Sequence, residues 1–196
     1  SKPESWLAII TAAKAIFAIW QTRKKIKLSN KQHLMDRRLK NYVLVSRLIE
    51  NYGYARSEID LDNLESTVMN VVKILALRTE LWDIQYFDIA KQGEAMLNEL
   101  HHKLANVKQA ATEIPIVFES NDAKLIAGFV EDISLFYLKC IAYNAVLEVN
   151  KNNKDEELKL KEEEKLKIFF NNLELNYSKI RGTKALEKLL KQIELK

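Results

Sequence analysis

Residues 133–147 read ISLFYLKCIAYNAVL, and this stretch decides the fold class. As a helix it would be apolar on every side, because Lys139 is its only charged residue. A helix of that kind lies either at the centre of a protein or across a membrane. A membrane span needs about 20 apolar residues, and the residues that flank this stretch are charged. We therefore predict a central buried helix near residues 121–150.

Amphipathic patterns extend outward from this stretch in both directions. Apolar residues spaced three and four apart predict helices over about 4–27, 29–53, 60–82, 85–111 and 120–150, then a charged helix ending at 181–183 and a short helix through Ile193. With 4 glycines and 2 prolines in 196 residues, few tight hairpin turns can exist. We predict an all-α protein, a single helical bundle of about six helices with a C-terminal helical hairpin or extension.

Several helix ends are predicted from residues that cap or break helices. Gly53 is suited to a left-handed cap at the end of the second helix. Asp60 or Asp62 is suited to the N-cap of the third. Pro115 should end the fourth helix, because the residue before a proline is pushed out of the helical region.

A polar linker over residues 150–155 divides the chain into two predicted regions. Residues 1–150 should form the bundle core, and residues 151–196 a charged helical extension. The apolar residues of this extension include Phe169, Phe170 and Leu173. They need a surface to pack against, so the extension should pack on the bundle or on a second copy.

The sequence holds no recognisable catalytic motif. It lacks the GxSxG, P-loop and GxGxxG patterns that mark hydrolases, phosphate loops and dinucleotide sites. Its one cysteine, Cys140, lies in the central stretch, so its thiol should be buried and inert. A single cysteine also fits a reducing compartment. We predict no enzyme activity, no catalytic residues and no cofactor.

The histidines and paired carboxylates also predict no metal site. His101 and His102 would point about 100° apart on a helix. Glu99 and His102 form one Glu-x-x-His pair, but a di-iron bundle needs two. The pairs Asp62–Glu65 and Glu80–Asp83 would lie about 27 Å apart on the predicted third helix, too far to share an ion.

Positive charge is concentrated between residues 23 and 40. This stretch has eight basic residues and one acidic residue, a net charge of +7, whereas the whole chain carries +4. The basic residues are Arg23, Lys24, Lys25, Lys27, Lys31, Arg37, Arg38 and Lys40. Clustered cations bind acidic proteins, anionic membranes or nucleic-acid phosphates. These residues are either a solvated turn between two helices or a candidate anion-binding surface.

The apolar helix that precedes the basic residues is a second candidate surface. Trp6, Phe17 and Trp20 followed by lysine and arginine is the composition of a helix that lies in a membrane interface. The same apolar stripe could instead pack inside the bundle. Residues 6–22, with Lys14 among them, are too few and too polar for a span. No secretory signal is recognisable, so we expect a cytoplasmic protein, with peripheral membrane attachment as an alternative.

These patterns favour interaction over catalysis. Our first hypothesis is a non-enzymatic helical-bundle interaction or regulatory module whose partner is another protein or a second copy. The first alternative is a peripheral membrane protein that uses the N-terminal amphipathic helix and the basic stretch. The second alternative is a binder of nucleic acid or of an acidic protein through residues 23–40.

Overall fold

The computed structural model describes residues 2–79, 81, 94–153 and 155–194, and the side chains of residues 14–79, 81, 98–151 and 155–194. These residues form six α-helices and no strand. The helices are α1 (Lys2–Glu58), α2 (Leu64–Ala76), α3 (Glu94–Val117), α4 (Asn121–Asn153), α5 (Glu156–Thr183) and α6 (Ala185–Glu194). The predicted all-α bundle of about six helices is confirmed.

The central position belongs to α4, as predicted from its composition. It contacts each of the five other helices, because apolar side chains cover all of its sides. Ile133 and Phe136 are buried, and Cys140 is fully buried. The Phe136 ring lies 6.1 Å from that of Phe170 on α5, centroid to centroid. The core of the molecule is therefore built around α4.

The first two predicted helices are one helix, so the predicted break near residues 27–29 is wrong. Ser29 and Asn30 suit an N-cap, but no glycine or proline stands there to stop a helix that has already started. Extending a helix is favourable compared with nucleating a new one. The predicted cap at Gly53 is also wrong, because α1 continues to Glu58. What requires a glycine at 53 is Tyr177 of α5, whose Oη would lie 2.8 Å from a Cβ there.

The predicted ends of the middle helices also need correction. Instead of capping α2, the Asp60 side chain accepts a hydrogen bond from the Asp62 N–H (3.0 Å), and α2 begins after Asn63. The predicted third helix is too long, since α2 ends at Ala76. The predicted helix start at residue 85 lies outside the described residues. Pro115 does not end α3 but lies inside its last turn, and the helix ends two residues later at Val117.

The C-terminal helices pack on the same core as the others. Asp155 caps α5, its Oδ1 accepting a hydrogen bond from the Leu158 N–H (3.0 Å), so the predicted linker is shorter than expected. Lys184, with a left-handed φ of 53°, separates α5 from α6, so the break lies just after the predicted residues 181–183, and Gly182 lies inside α5. The residues of α5 and α6 buried in the common core include Leu166, Leu173, Ile180 and Leu189. The division of the chain at residue 150 stays a prediction.

A polar contact holds α5 against the second half of α1. The Tyr52 hydroxyl donates a hydrogen bond to Glu174 Oε1 (2.7 Å), and Arg56 forms an ion pair with the same carboxylate. The Arg56 guanidinium also lies 5.1 Å from the ring centroid of Tyr177. These contacts fix the C-terminal half of α1 to the bundle.

Candidate interaction surface

The two halves of α1 lie in opposite environments. From Met35 onward, one side of the helix is buried against the bundle, whereas every residue from 14 to 34 is exposed. At 1.5 Å per residue, these 21 residues extend about 30 Å. We call residues 14–34 the arm. It is a helix with no cover from the described part of its own chain.

A single strip of side chains runs straight along α1 from the arm into the bundle. Residues three and four apart share one side of an α-helix. In the bundle the strip is buried and consists of Arg38, Asn41, Val45, Leu48 and Tyr52. In the arm the same spacing continues through Ile16, Trp20, Arg23, Lys27, Asn30 and Leu34, which we call the arm strip. From residue 16 to residue 52 the strip has ten spacings over 36 residues, an average of 3.6 residues per spacing. This equals one turn of an α-helix, so the strip runs parallel to the helix axis.

The far end of the arm strip is apolar. Ile16 is 68% exposed and Trp20 is 56% exposed, and Phe17 and Ile19 beside them are also more than half exposed. The Phe17 and Trp20 rings stack with their centroids 5.8 Å apart. Isolated exposed apolar residues are ordinary, but four within five positions form a patch that suits an interaction.

The near end of the arm strip is basic. Arg23 and Lys27 lie on it, and Lys24 and Lys31 lie at its edges. Lys25 points about 180° away, to the opposite side of the helix. An open groove with a volume of about 430 Å³ follows this part of the helix, and its lining comprises Arg23, Ile26, Lys27, Asn30, Lys31 and Leu34. The arm therefore presents apolar and cationic contacts along one line.

Arg38, one of the predicted anion-binding residues, is not on this surface. It is only 5% exposed, and its guanidinium donates hydrogen bonds to the backbone carbonyls of Val117 (2.6 Å) and Gln192 (3.2 Å). These carbonyls belong to the C-terminal turns of α3 and α6, where helix dipoles place partial negative charge. The Arg38 guanidinium thus joins three helices inside the protein.

Arg37 and Lys40 also lie on the bundle rather than on the arm. Arg37 forms an ion pair with Glu113 (3.6 Å). Glu113 accepts a further hydrogen bond from Asn41 (3.2 Å), and this bond is the main reason that the pKa of Glu113 is lowered. Of the eight predicted residues, the structure brings five together on the arm, namely Arg23, Lys24, Lys25, Lys27 and Lys31.

Two of the three predicted membrane-facing residues, Phe17 and Trp20, are exposed on the arm. The side chain of Trp6 lies outside the described residues. Within the described part of the chain, none of the helices combines the length and the apolar character needed to cross a membrane.

Cys140 and the Glu99–His102 pair lie outside the arm, on α4 and α3. Burial raises the pKa of the Cys140 thiol, which makes it a poor nucleophile, as predicted. Glu99 forms an ion pair with Lys103 (3.6 Å) on the surface of α3. No group of three or more potential metal ligands occurs among the side chains that the structure describes. Glu80 and Asp83 lie outside the described residues.

Sequence reasoning from composition found the arm but missed its sidedness. Ile16 was part of the predicted apolar stripe, whereas Ile19, which also belongs to the exposed patch, was not. The signal that could have revealed the strip is the unbroken spacing of three and four from residue 16 to residue 52.

Comparison of the chain with models of protein families, with curated proteins and with solved structures gives no significant match.

Proposed function

We propose that the protein is a non-enzymatic helical-bundle interaction module and that the arm strip is its binding surface for a partner protein. The observation that carries this proposal is the continuity of one strip along α1, buried from Arg38 to Tyr52 and exposed from Ile16 to Leu34. In the bundle this side of α1 is covered by other helices. A partner that extends this cover along the arm would bury the same side of the same helix.

The chemistry of the strip defines the partner that it fits. Ile16 and Trp20 require apolar side chains opposite them, and Arg23 and Lys27 require carboxylates. Residues 5–35 contain six basic and no acidic residues, so the arm repels a basic partner and attracts an acidic one. An exposed helix with apolar residues at one end and acidic residues at the other satisfies both requirements.

The direction of the strip argues against a flat membrane as the partner. The bundle lies on the same side of α1 as the strip, and packed helix axes are about 8–10 Å apart. The arm's side chains reach only about 5–6 Å from its axis. A flat bilayer that touched the whole strip of a straight α1 would therefore collide with the first layer of helices.

Nucleic acid suits the strip less well than a protein does. Phosphates would neutralise Arg23, Lys24 and Lys27, since such contacts need only clustered cations. They would leave Ile16 and Trp20 exposed to water. The mixed character of the strip supports a protein partner.

Photo-crosslinking from single positions of the arm tests the proposal. A photoreactive residue replaces Trp20 or Lys27 on the strip, with Ala18 and Lys25 on the opposite side as matched controls. In expressing cells we expect protein adducts from positions 20 and 27 and few from positions 18 and 25. Mass spectrometry then identifies the crosslinked peptide. Adducts to lipid or nucleic acid, or equal adducts from both sides, would overturn the proposal.

A further inference from the structure

The outward side of α5 is a second exposed surface with both apolar and acidic residues. Leu160, Ile168 and Leu175 are each more than half exposed. Glu157 and Glu164 are exposed on the same side of the helix, three residues before Leu160 and four residues after it. We call these five residues the α5 face. In the described structure no helix of the same chain covers them.

The arm strip and the α5 face match when the two helices run antiparallel. With Trp20 placed opposite Ile168, the residue numbers of any two facing positions sum to about 188. Arg23 and Lys24 then lie opposite Glu164, and Lys31 lies opposite Glu157. In this register Trp20 meets an apolar residue, and Arg23, Lys24 and Lys31 meet carboxylates. Lys161 lies on the same side of α5 and falls opposite Lys27, but with Glu156 also exposed this side of α5 remains net negative.

We propose that the partner of the arm is a second copy of this chain, whose α5 face receives the arm strip in this antiparallel register. The inference rests on the proposed function and names its partner. Outside residues 5–35 the chain has a net charge of −2, so each copy carries a basic arm and an acidic remainder. This charge distribution attracts the arm of one copy to the body of another.

A dimer formed by two arms side by side would not place carboxylates opposite the cations of the arm strip. In a parallel pair, Arg23 and Lys27 of one copy would lie against the same residues of the other. No acidic residue of the arm could neutralise them, because the first one after Glu4 is Asp36. Like charges that face each other are destabilising, so the arm is better matched by the α5 face.

Charge reversal followed by charge swap tests this pairing. The full chain is studied by sedimentation equilibrium over a range of concentrations at low salt. We expect the average mass of the unaltered protein to rise with concentration and to fall when salt is added, because salt screens exposed charges. R23E together with K24E should weaken the association about tenfold or more, and so should E157K together with E164K. Combining these four substitutions with K31E, whose position lies opposite residue 157, should restore it.

Matched controls separate these contacts from net charge. K14E together with K25E changes the net charge as much as R23E with K24E does, but both lysines point away from the strip. These control substitutions should leave the association nearly unchanged, as should E119K with E131K on other exposed positions. An unaltered protein that stays monomeric at all concentrations, or a five-substitution variant whose association is not restored, would overturn the inference.

The crosslinked peptide distinguishes failure of this inference from failure of the proposed function. A peptide from residues 156–179 of a second copy supports both. A peptide from a different protein supports an interaction module and overturns self-association. Adducts to lipid or nucleic acid overturn both.

Discussion

Arg38 is a buried cation held by two backbone carbonyls, and its environment makes it a structural residue. Removing it would leave the carbonyls of Val117 and Gln192 without this donor. Hydrogen bonds to charged groups are each worth about 1.5–3 kcal/mol. We therefore expect Arg38→Met to lower the free energy of unfolding by about 2–4 kcal/mol, measured by urea denaturation.

The neighbouring arginine is the control for this prediction. Arg37 is half exposed and forms a single surface ion pair with Glu113. Such pairs contribute about 0–1 kcal/mol, so Arg37→Met should have little effect on unfolding. Equal losses of stability in the two variants would contradict the role assigned to Arg38.

Tyr137 buries a hydroxyl for which the described structure shows no hydrogen-bond partner. Burial raises the pKa of this hydroxyl, so it stays protonated. An unpaired buried polar group costs about 1–3 kcal/mol. We expect Tyr137→Phe to leave the melting temperature unchanged or to raise it.

Tyr52 gives the opposite expectation for the same substitution. Its hydroxyl donates a hydrogen bond to Glu174 Oε1 at 2.7 Å. Tyr52→Phe should lower the free energy of unfolding by about 1–2 kcal/mol, measured in the same melts. A loss of stability in Tyr137→Phe as large as that in Tyr52→Phe would show that the Tyr137 hydroxyl has a partner.

At the scale of the helices, the contact between α1 and α5 depends on the absence of a side chain at residue 53. A Cβ there would lie 2.8 Å from Tyr177 Oη but 3.7 Å from Tyr177 Cζ, so the hydroxyl is the obstacle. Alanine normally stabilises a helix interior by about 0.5–1 kcal/mol relative to glycine. We expect Gly53→Ala to be destabilising alone and to become stabilising in a Tyr177→Phe background.

Gly128 of α4 is the matched control, because a Cβ there would have no neighbour within 4 Å. Gly128→Ala should raise the free energy of unfolding by about 0.5–1 kcal/mol in either background. Chemical denaturation of the four combinations gives the coupling between residues 53 and 177. No difference between the two backgrounds for Gly53→Ala would show that Tyr177 moves aside at no cost.

The helix that sequence predicts best is the one that is apolar on every side. The apolar stretch of α4 occupies the centre, a position readable from 15 residues, although Leu135 within it is 37% exposed. The cap at Asp155 follows from local residue preference, whereas the helix passes through Gly182 and breaks at Lys184, a residue that disfavours a positive φ. By contrast, Gly53 has the signature of a helix end, but its actual requirement comes from Tyr177, 124 positions later. Local patterns contain no information about such a contact.

The candidate surface was predictable in composition but not in geometry. The basic stretch and the aromatic residues Phe17 and Trp20 are visible in the sequence. Which cation is buried depends on where the C-terminal turns of α3 and α6 meet α1, and this is set by tertiary packing. Arg38 therefore had the same sequence signature as Arg37 but has a different role.

At the scale of the whole molecule, the arm adds length without adding to the core. Its described side chains are all exposed, so its removal should uncover no apolar surface of the bundle. We expect a chain starting at Leu34 to unfold with the same free energy, within about 0.5 kcal/mol, because surface changes have effects of that size. The helical signal in circular dichroism should fall by the share of the deleted residues.

A substantially less stable truncated chain would show that the arm packs on the bundle. If the truncated chain keeps its stability, its state of association becomes the second readout. It should be monomeric where the full chain associates, since it retains the α5 face but lacks the strip that binds it.

The position of Arg38 also has a consequence for the order in which the chain acquires its structure during synthesis. One of its hydrogen-bond acceptors, Gln192, follows it by 154 positions, and the Glu174 partner of Tyr52 follows by 122. Arg38 and Tyr52 thus leave the ribosome long before these partners. Until α5 and α6 emerge, both side chains lack them, and the arm strip is exposed on the nascent chain. Such transiently exposed surface is what chaperones recognise and what aggregates when unprotected. Slow translation of the last codons would lengthen the time for which this surface is exposed on the nascent chain.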